Sequence, residues 1–128
     1  MKRVNIPAKT VWEDIVGYSR AVKIGNVIEV SGTAAVDGGQ VFGNENVYEQ
    51  TKFILEKIKR TLESIGSGMN DVIRTRIYVT DISRWEEVGK AHGEFFNNIK
   101  PATSMVEVKS LIDPDMLVEI EATAVTDT

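Results

Sequence analysis

The amino-acid sequence predicts an α+β fold, one β-sheet carrying two α-helices on a single face. Three observations predict it. Residues 46–65 and 84–97 place apolar side chains at helical spacing, while 73–80 and 117–125 alternate apolar with polar. The segments also run strands, helix, strand, helix, strands, the order of a sheet with its helices segregated to one side.

Each element follows from local chemistry. After an irregular start, Arg20 to Lys23 and Val27 to Ser31 read as short strands joined by a tight Gly25-Asn26 turn. Asp37-Gly38-Gly39-Gln40 marks a second turn leading into Val41-Phe42. Asn46 is placed to cap the first helix, with Glu49 completing a capping box. Val47, Thr51, Ile54, Leu55, Ile58, Leu62 and Ile65 then form its apolar stripe, and Gly66-Ser67-Gly68 stops it. In 73–80, Ile73, Thr75, Ile77 and Val79 share one face, and Arg74, Arg76, Tyr78 and Thr80 the other. Ser83 with Glu86 predicts a second capping box, opening a helix striped with Trp85, Val88, His92, Phe95 and Ile99. Gly89 and Gly93 within it suggest close approach to another backbone, and Lys100-Pro101 ends it. Ser104 to Val108 and Leu117 to Val125 complete the strands.

Composition narrows the function classes. The 128 residues, 14.2 kDa, suit one domain spanning 1–128. There is no cysteine and one histidine, His92, which excludes disulfides, thiolate metal sites, cysteine nucleophiles and polyhistidine zinc centres. A net charge of -4 and a pI of about 5.0 give no globally basic footprint for nucleic acid, leaving Arg74, Arg76 and Arg84 as a local patch at most. Charges recur too often for a membrane span, and no apolar run follows Met1 to Pro7, so the expected location is the cytoplasm.

The last strand is the most informative. Val118, Ile120, Ala122 and Ala124 suit the underside of helices, so Glu119 and Glu121 point the other way, although acidic residues are poor strand formers. Arg74 and Arg76 decorate another strand in the same alternation. An uncovered face of complementary charge mixed with Tyr78 and Val125 reads as an interface, and small cyclic oligomers turn such faces toward each other.

Gly17-Tyr18, Val30-Ser31-Gly32, Tyr78-Val79-Thr80-Asp81, Pro101-Ala102-Thr103-Ser104 and Val118-Glu119-Ile120-Glu121-Ala122 together resemble the RidA (YjgF) family over about residues 17–125. The resemblance implies a mixed sheet of chorismate-mutase-like fold, forming a trimeric barrel with a ligand cleft at each subunit interface. RidA hydrolyses 2-aminoacrylate-type enamines and imines to 2-oxo acids and ammonia without a cofactor, and no metal is implied. The resemblance makes Glu121 the catalytic residue that activates water, with Tyr18, Ser31, Gly32, Thr103 and Met105 in the substrate-binding cleft.

The sequence departs from the family at one telling place. Where the family carries a clamp arginine in Pro-Ala-Arg-Ser, this chain has Thr103, and a hydroxyl lacks the charge that grips a carboxylate. Met105 stands where many relatives have cysteine. The chain thus resembles the arginine-lacking subgroup. Arg20 and Arg76 are candidate substitute cations, each with the alternative of pairing with Glu107, Glu119 or Glu121. Three functions are expected in descending order: a small-molecule hydrolase of the deaminase type, a non-catalytic trimer that binds a metabolite or partner, and an endoribonuclease or translation inhibitor.

Overall fold

The computed structural model describes residues 1–127. Along the chain come β1 (Arg3–Ile6), α1 (Glu13–Val16), β2 (Ala21–Ile24), β3 (Val27–Thr33), β4 (Val36–Asp37), β5 (Gln40–Val41), α2 (Val47–Glu63), β6 (Val72–Val79), α3 (Trp85–Phe96), β7 (Ala102–Glu107) and β8 (Val118–Val125). Six strands form one sheet in the order β1-β2-β3-β8-β6-β7, and β4 pairs with β5 in a separate ribbon. All neighbours are antiparallel except β6 and β7, which run parallel and are connected through α3.

The α+β reading with a mixed sheet stands, but two parts of the expected architecture are corrected. The β4–β5 ribbon means the sheet is not single. The six-stranded sheet is also open, ending at β1 and β7, so the expected barrel is not closed by the described residues of the chain. The reason is plain in the pairing: β1 bonds only β2, and β7 bonds only β6.

The helices cover one face as the periodicity predicts. Ile54, Leu55, Ile58 and Leu62 of α2 and Val88 of α3 are fully buried with Ile77, Val79, Val118 and Ile120 of the sheet. The α3 stripe is narrower than read from sequence: Trp85 is 55% exposed, and Ala91 and Phe96 are buried instead. Strand β6 shows a second departure. Its register against β8 shifts between Val72 and Arg74, a bulge that turns Val72 inward and leaves Ile73 52% exposed. From Thr75 onward the alternation matches the expectation.

Neither capping box closes. Asn46 accepts the Glu49 N–H at 3.0 Å, but its own N–H is spent on the Gly43 carbonyl, so Glu49 has nothing to receive. Ser83 donates its hydroxyl to Asp81 at 2.6 Å, and Asp81 also takes the Ser83 N–H at 3.0 Å. Asp81 thus caps a single 3-10 turn, Ile82–Arg84, that leads into α3, whose own first turn has no side-chain cap. Nor do Gly89 and Gly93 admit a second backbone. A Cβ at Gly89 would meet the Trp85 ring at 3.9 Å and one at Gly93 the Asn97 side chain at 3.2 Å, both near neighbours along the chain. The start of the chain is more regular than expected, since β1 pairs with β2 over four residues.

One buried polar side chain fixes the long connection before β8. Gln50 of α2, fully buried, donates to the Asp115 carbonyl at 2.9 Å and accepts the Leu117 N–H at 2.9 Å. Gln50→Leu leaves both backbone groups unpaired and is expected to cost about 2–4 kcal/mol, read by chemical denaturation. A loss below about 0.5 kcal/mol would show that water replaces both bonds.

Candidate functional site

The site grows from one irregularity in β3. Val30 pairs with Ala122 and Thr33 with Ile120, so three steps along β3 match two along β8. The extra residue forms a bulge at Ser31–Gly32 that pushes this backbone out of the ladder. Arg20, just before β2, donates to the displaced Gly32 carbonyl at 3.1 Å. The Glu119 carboxylate lies against Gly32 so closely that a Cβ there would sit 2.6 Å from its Oε2. A side chain here would push the Glu119 carboxylate aside, so glycine serves the close approach and not the backbone conformation.

Around this bulge opens a cleft of about 400 Å³. Tyr18, Arg20, Ser31, Gly32, Glu119 and Glu121 line its polar side. Residues 10–16 form a second wall, and Ile112 and Met116 close it from the connection that Gln50 holds. The second wall is tied locally. Glu13 accepts the Ala8 and Lys9 N–H groups, one on each carboxylate oxygen at 2.9 Å, which holds Lys9 in the left-handed region (φ +60°). Tyr18 hydrogen-bonds Thr10 through their hydroxyls.

Electrostatics in the cleft are set by burial. Arg20 is 7% exposed, and among the described residues its Nε has no hydrogen-bond partner and it closes no ion pair with a carboxylate. Burial pulls its pKa down, opposed by Tyr18 and Glu119 through space. Lys57 of α2 reaches the same cleft, where burial and then Arg20 and Arg60 lower its pKa. Glu119 is shifted the other way, raised by burial and then by Glu121, with Arg20 opposing. Ser31 donates its hydroxyl to the Ser19 carbonyl at 2.6 Å, so its proton is committed and its oxygen is left to accept.

Glu121 lies between two environments. It accepts from Tyr78 at 3.1 Å on the open face of the sheet, and it lines both the main cleft and a shallower depression shared with Arg76 and Glu29. Tyr78 is consequently held above the ordinary phenol range, by burial first and by Glu121 second. Arg76 is in register with Glu121 but forms no ion pair with it, and Arg74 donates to Ser104 at 2.9 Å.

Five expected residues therefore come together: Tyr18, Ser31, Gly32, Glu121 and Arg20. Thr103 and Met105 do not join them within one chain. Thr103 hydrogen-bonds Thr75 at 2.7 Å on the helix side of edge strand β7, opposite the face of Glu121, and Met105 packs against the core. His92 also serves the helix side, 2.9 Å from Thr75 and with its ring tilted against Phe96 at a centroid distance of 4.6 Å. Sequence reasoning missed Lys57, Glu119 as a cleft residue, and the Glu13 clip. The Glu-x-Glu alternation pointed to Glu119, but nothing in the local sequence sets Lys57 apart on its helix.

An open mixed sheet, helices on one face and a cleft of two carboxylates, a buried guanidinium and a tyrosine at a strand bulge define an α+β protein of chorismate-mutase-like type. Comparison with known proteins makes this specific. The model of the family described as Endoribonuclease L-PSP matches residues 10–126, and the chain belongs to that family, also called RidA or YjgF. It is 38% identical over 109 residues to a RutC family protein of Pyrococcus abyssi, covering 84% of each chain. With an uncharacterized protein of Streptomyces coelicolor it shares 35% over 113 residues, 88% of this chain and 84% of the other. The crystal structure of a YjgF/YER057c/UK114 family member from Mycobacterium tuberculosis superposes with a TM-score of 0.90 at 46% identity, covering 98% of this chain and all of that one. Among the described residues no helix is long and apolar enough to cross a membrane.

The raised Glu119 pKa has a stability consequence. The folded chain holds that proton more tightly than the unfolded chain, so folding gains from it at low pH. That gain is lost as pH climbs from the ordinary carboxylate value through the raised one. Glu119→Gln is expected to flatten this part of the stability–pH profile and to raise stability at neutral pH, measured by denaturation across the acidic range. An unchanged slope would place the titration elsewhere.

Proposed function

We propose that the protein is a small-molecule hydrolase of the imine-deaminase type, with Glu121 activating water in the cleft beside Tyr18, Ser31 and Gly32. The observation that carries this reading is the convergence of these residues and Arg20 on one cleft around the β3 bulge. In the reaction a water gives a proton to Glu121 while its oxygen adds to the imine carbon. Glu121 returns that proton to the nitrogen, the new hydroxyl gives up the second as the C–N bond breaks, and ammonia leaves with a carbonyl compound remaining.

Arg20 serves as the substitute cation. A buried guanidinium with no ion pair is stabilised by an anionic group entering the cleft, and Lys57 adds a second positive charge on the same side. Thr103 cannot grip a carboxylate where the clamp arginine does, so the family's 2-aminoacrylate geometry is lost and an anionic substrate is held at Arg20 instead. That substitution also favours a second reading, in which the cleft binds a metabolite without turning it over.

Thr103 and Glu121 lie on opposite faces of the sheet, so a cleft that uses both takes them from different copies of the chain. Such a cleft needs more than one copy, and the family resemblance implies three. Light scattering is expected to give about three times the 14.2 kDa chain mass.

Glu121→Gln is expected to lower ammonia release from small imines by about 10²–10⁴-fold. Arg20→Met is expected to weaken binding of an anionic ligand about 10- to 100-fold, measured by calorimetry. A bound ligand that raises the melting temperature with no product by mass spectrometry would select the second reading. Turnover undiminished in Glu121→Gln would reject the assignment of that residue.

A further inference from the structure

Three contacts run in line from the helix layer to the edge of the sheet. His92 Nε2 lies 2.9 Å from Thr75 Oγ1, Thr75 Oγ1 lies 2.7 Å from Thr103 Oγ1, and Thr103 Oγ1 lies 3.0 Å from the Pro101 carbonyl oxygen. Only one arrangement of protons satisfies all three. A carbonyl oxygen can only accept, so the single hydroxyl proton of Thr103 goes to Pro101. The Thr75 proton then goes to Thr103, and His92 must donate from Nε2. Thr75 is fully buried, so leaving either of its contacts unmade would be costly. Burial lowers the His92 pKa, which favours the neutral ring, and in that ring the one proton must then sit on Nε2.

The consequence concerns what Thr103 offers to a ligand. Its proton is engaged within the chain and one lone pair already accepts from Thr75, while the residue itself is exposed on the outer edge strand. What remains is a lone pair. We infer that a ligand reaching Thr103 is held there as a hydrogen-bond donor, an amide, amine or alcohol N–H or O–H, and not as a carboxylate. The polarity of this corner is thereby the reverse of a guanidinium, which only donates. His92 acts as a positioning residue through Thr75 and touches no ligand. This inference rests on the cleft reading above and on its assembly from more than one copy, with Arg20 of one copy taking the anionic end of the ligand and Thr103 of another the donor end.

The test uses the full-length assembled protein. Because the chain has one histidine, long-range proton–nitrogen NMR reports its tautomer without assignment ambiguity. The Nε2–H form is expected; the Nδ1–H form would release Thr103 from Pro101 and overturn the proton order. Propanamide and propionate, nearly isosteric, are then titrated while the methyl signals of Thr103 and the ring signals of Tyr18 are followed. Propanamide is expected to shift Thr103 with at least about fivefold higher affinity than propionate, the size of one hydrogen bond. Propionate is expected at the Tyr18 end. Thr103→Val should abolish the preference and Thr103→Ser retain it. His92→Gln, which can still donate to Thr75, should retain it as well. Equal or tighter action of propionate at Thr103, or a preference that survives in Thr103→Val, overturns the inference. Shifts at Tyr18 with none at Thr103 overturn it while leaving the cleft standing; silence at both ends overturns both.

Discussion

The structure depends on the two-sided character of β8, a strand paired on both edges. Toward the helices it presents Val118, Ile120, Ala122 and Ala124, all buried; toward the other face it presents Glu119 and Glu121. A one-residue slip would bury both carboxylates under α2 and expose the apolar set, so the register is strongly specified. Because β3 and β6 take their places from β8, so do Tyr78, Arg76 and the bulge at Gly32. The charge arrangement of the open face is thus a by-product of how the core is packed.

Within the cleft the balance of charge is incomplete by construction. Arg20 is buried beside Glu119 without contacting it in an ion pair, and each perturbs the other through space. Removing charged groups from water is costly unless a partner compensates. The cleft keeps part of that cost unrecovered, and a polar ligand is the agent that can recover it. This separates Arg20 from Arg84, whose guanidinium lies 3.0 Å from Glu87 on the surface and is already satisfied.

How much of this could be read from sequence follows the length scale of each signal. The α2 stripe and the β8 alternation span many residues with one period, and both appear as expected. What escaped were single-residue irregularities and long-range meetings. The β6 bulge reverses Ile73 because one extra residue changes parity, and no propensity marks it. The β3 bulge sits at Ser31-Gly32, where the glycine was visible but its reason, a carboxylate arriving from residue 119, was not. The capping boxes failed because Asn46 and Ser83 found nearer partners. Lys57 joins the cleft only through the way α2 lies over the end of the sheet. Thr103 was legible only as lacking the charge of the clamp arginine; that its proton is engaged by a carbonyl two residues away was not.

The clip made by Glu13 carries a different kind of consequence. The wall formed by residues 8–18 is closed by its own hydrogen bonds: Glu13 to two amides, Tyr18 to Thr10, and Gly17 N–H back to the Glu13 carbonyl. None of its residues is fully buried, so its order owes little to the hydrophobic centre. Substitutions in this stretch can therefore reshape the mouth of the cavity while the folding equilibrium of the rest stays nearly constant. In an evolving lineage, that leaves the segment free to vary the shape of the opening.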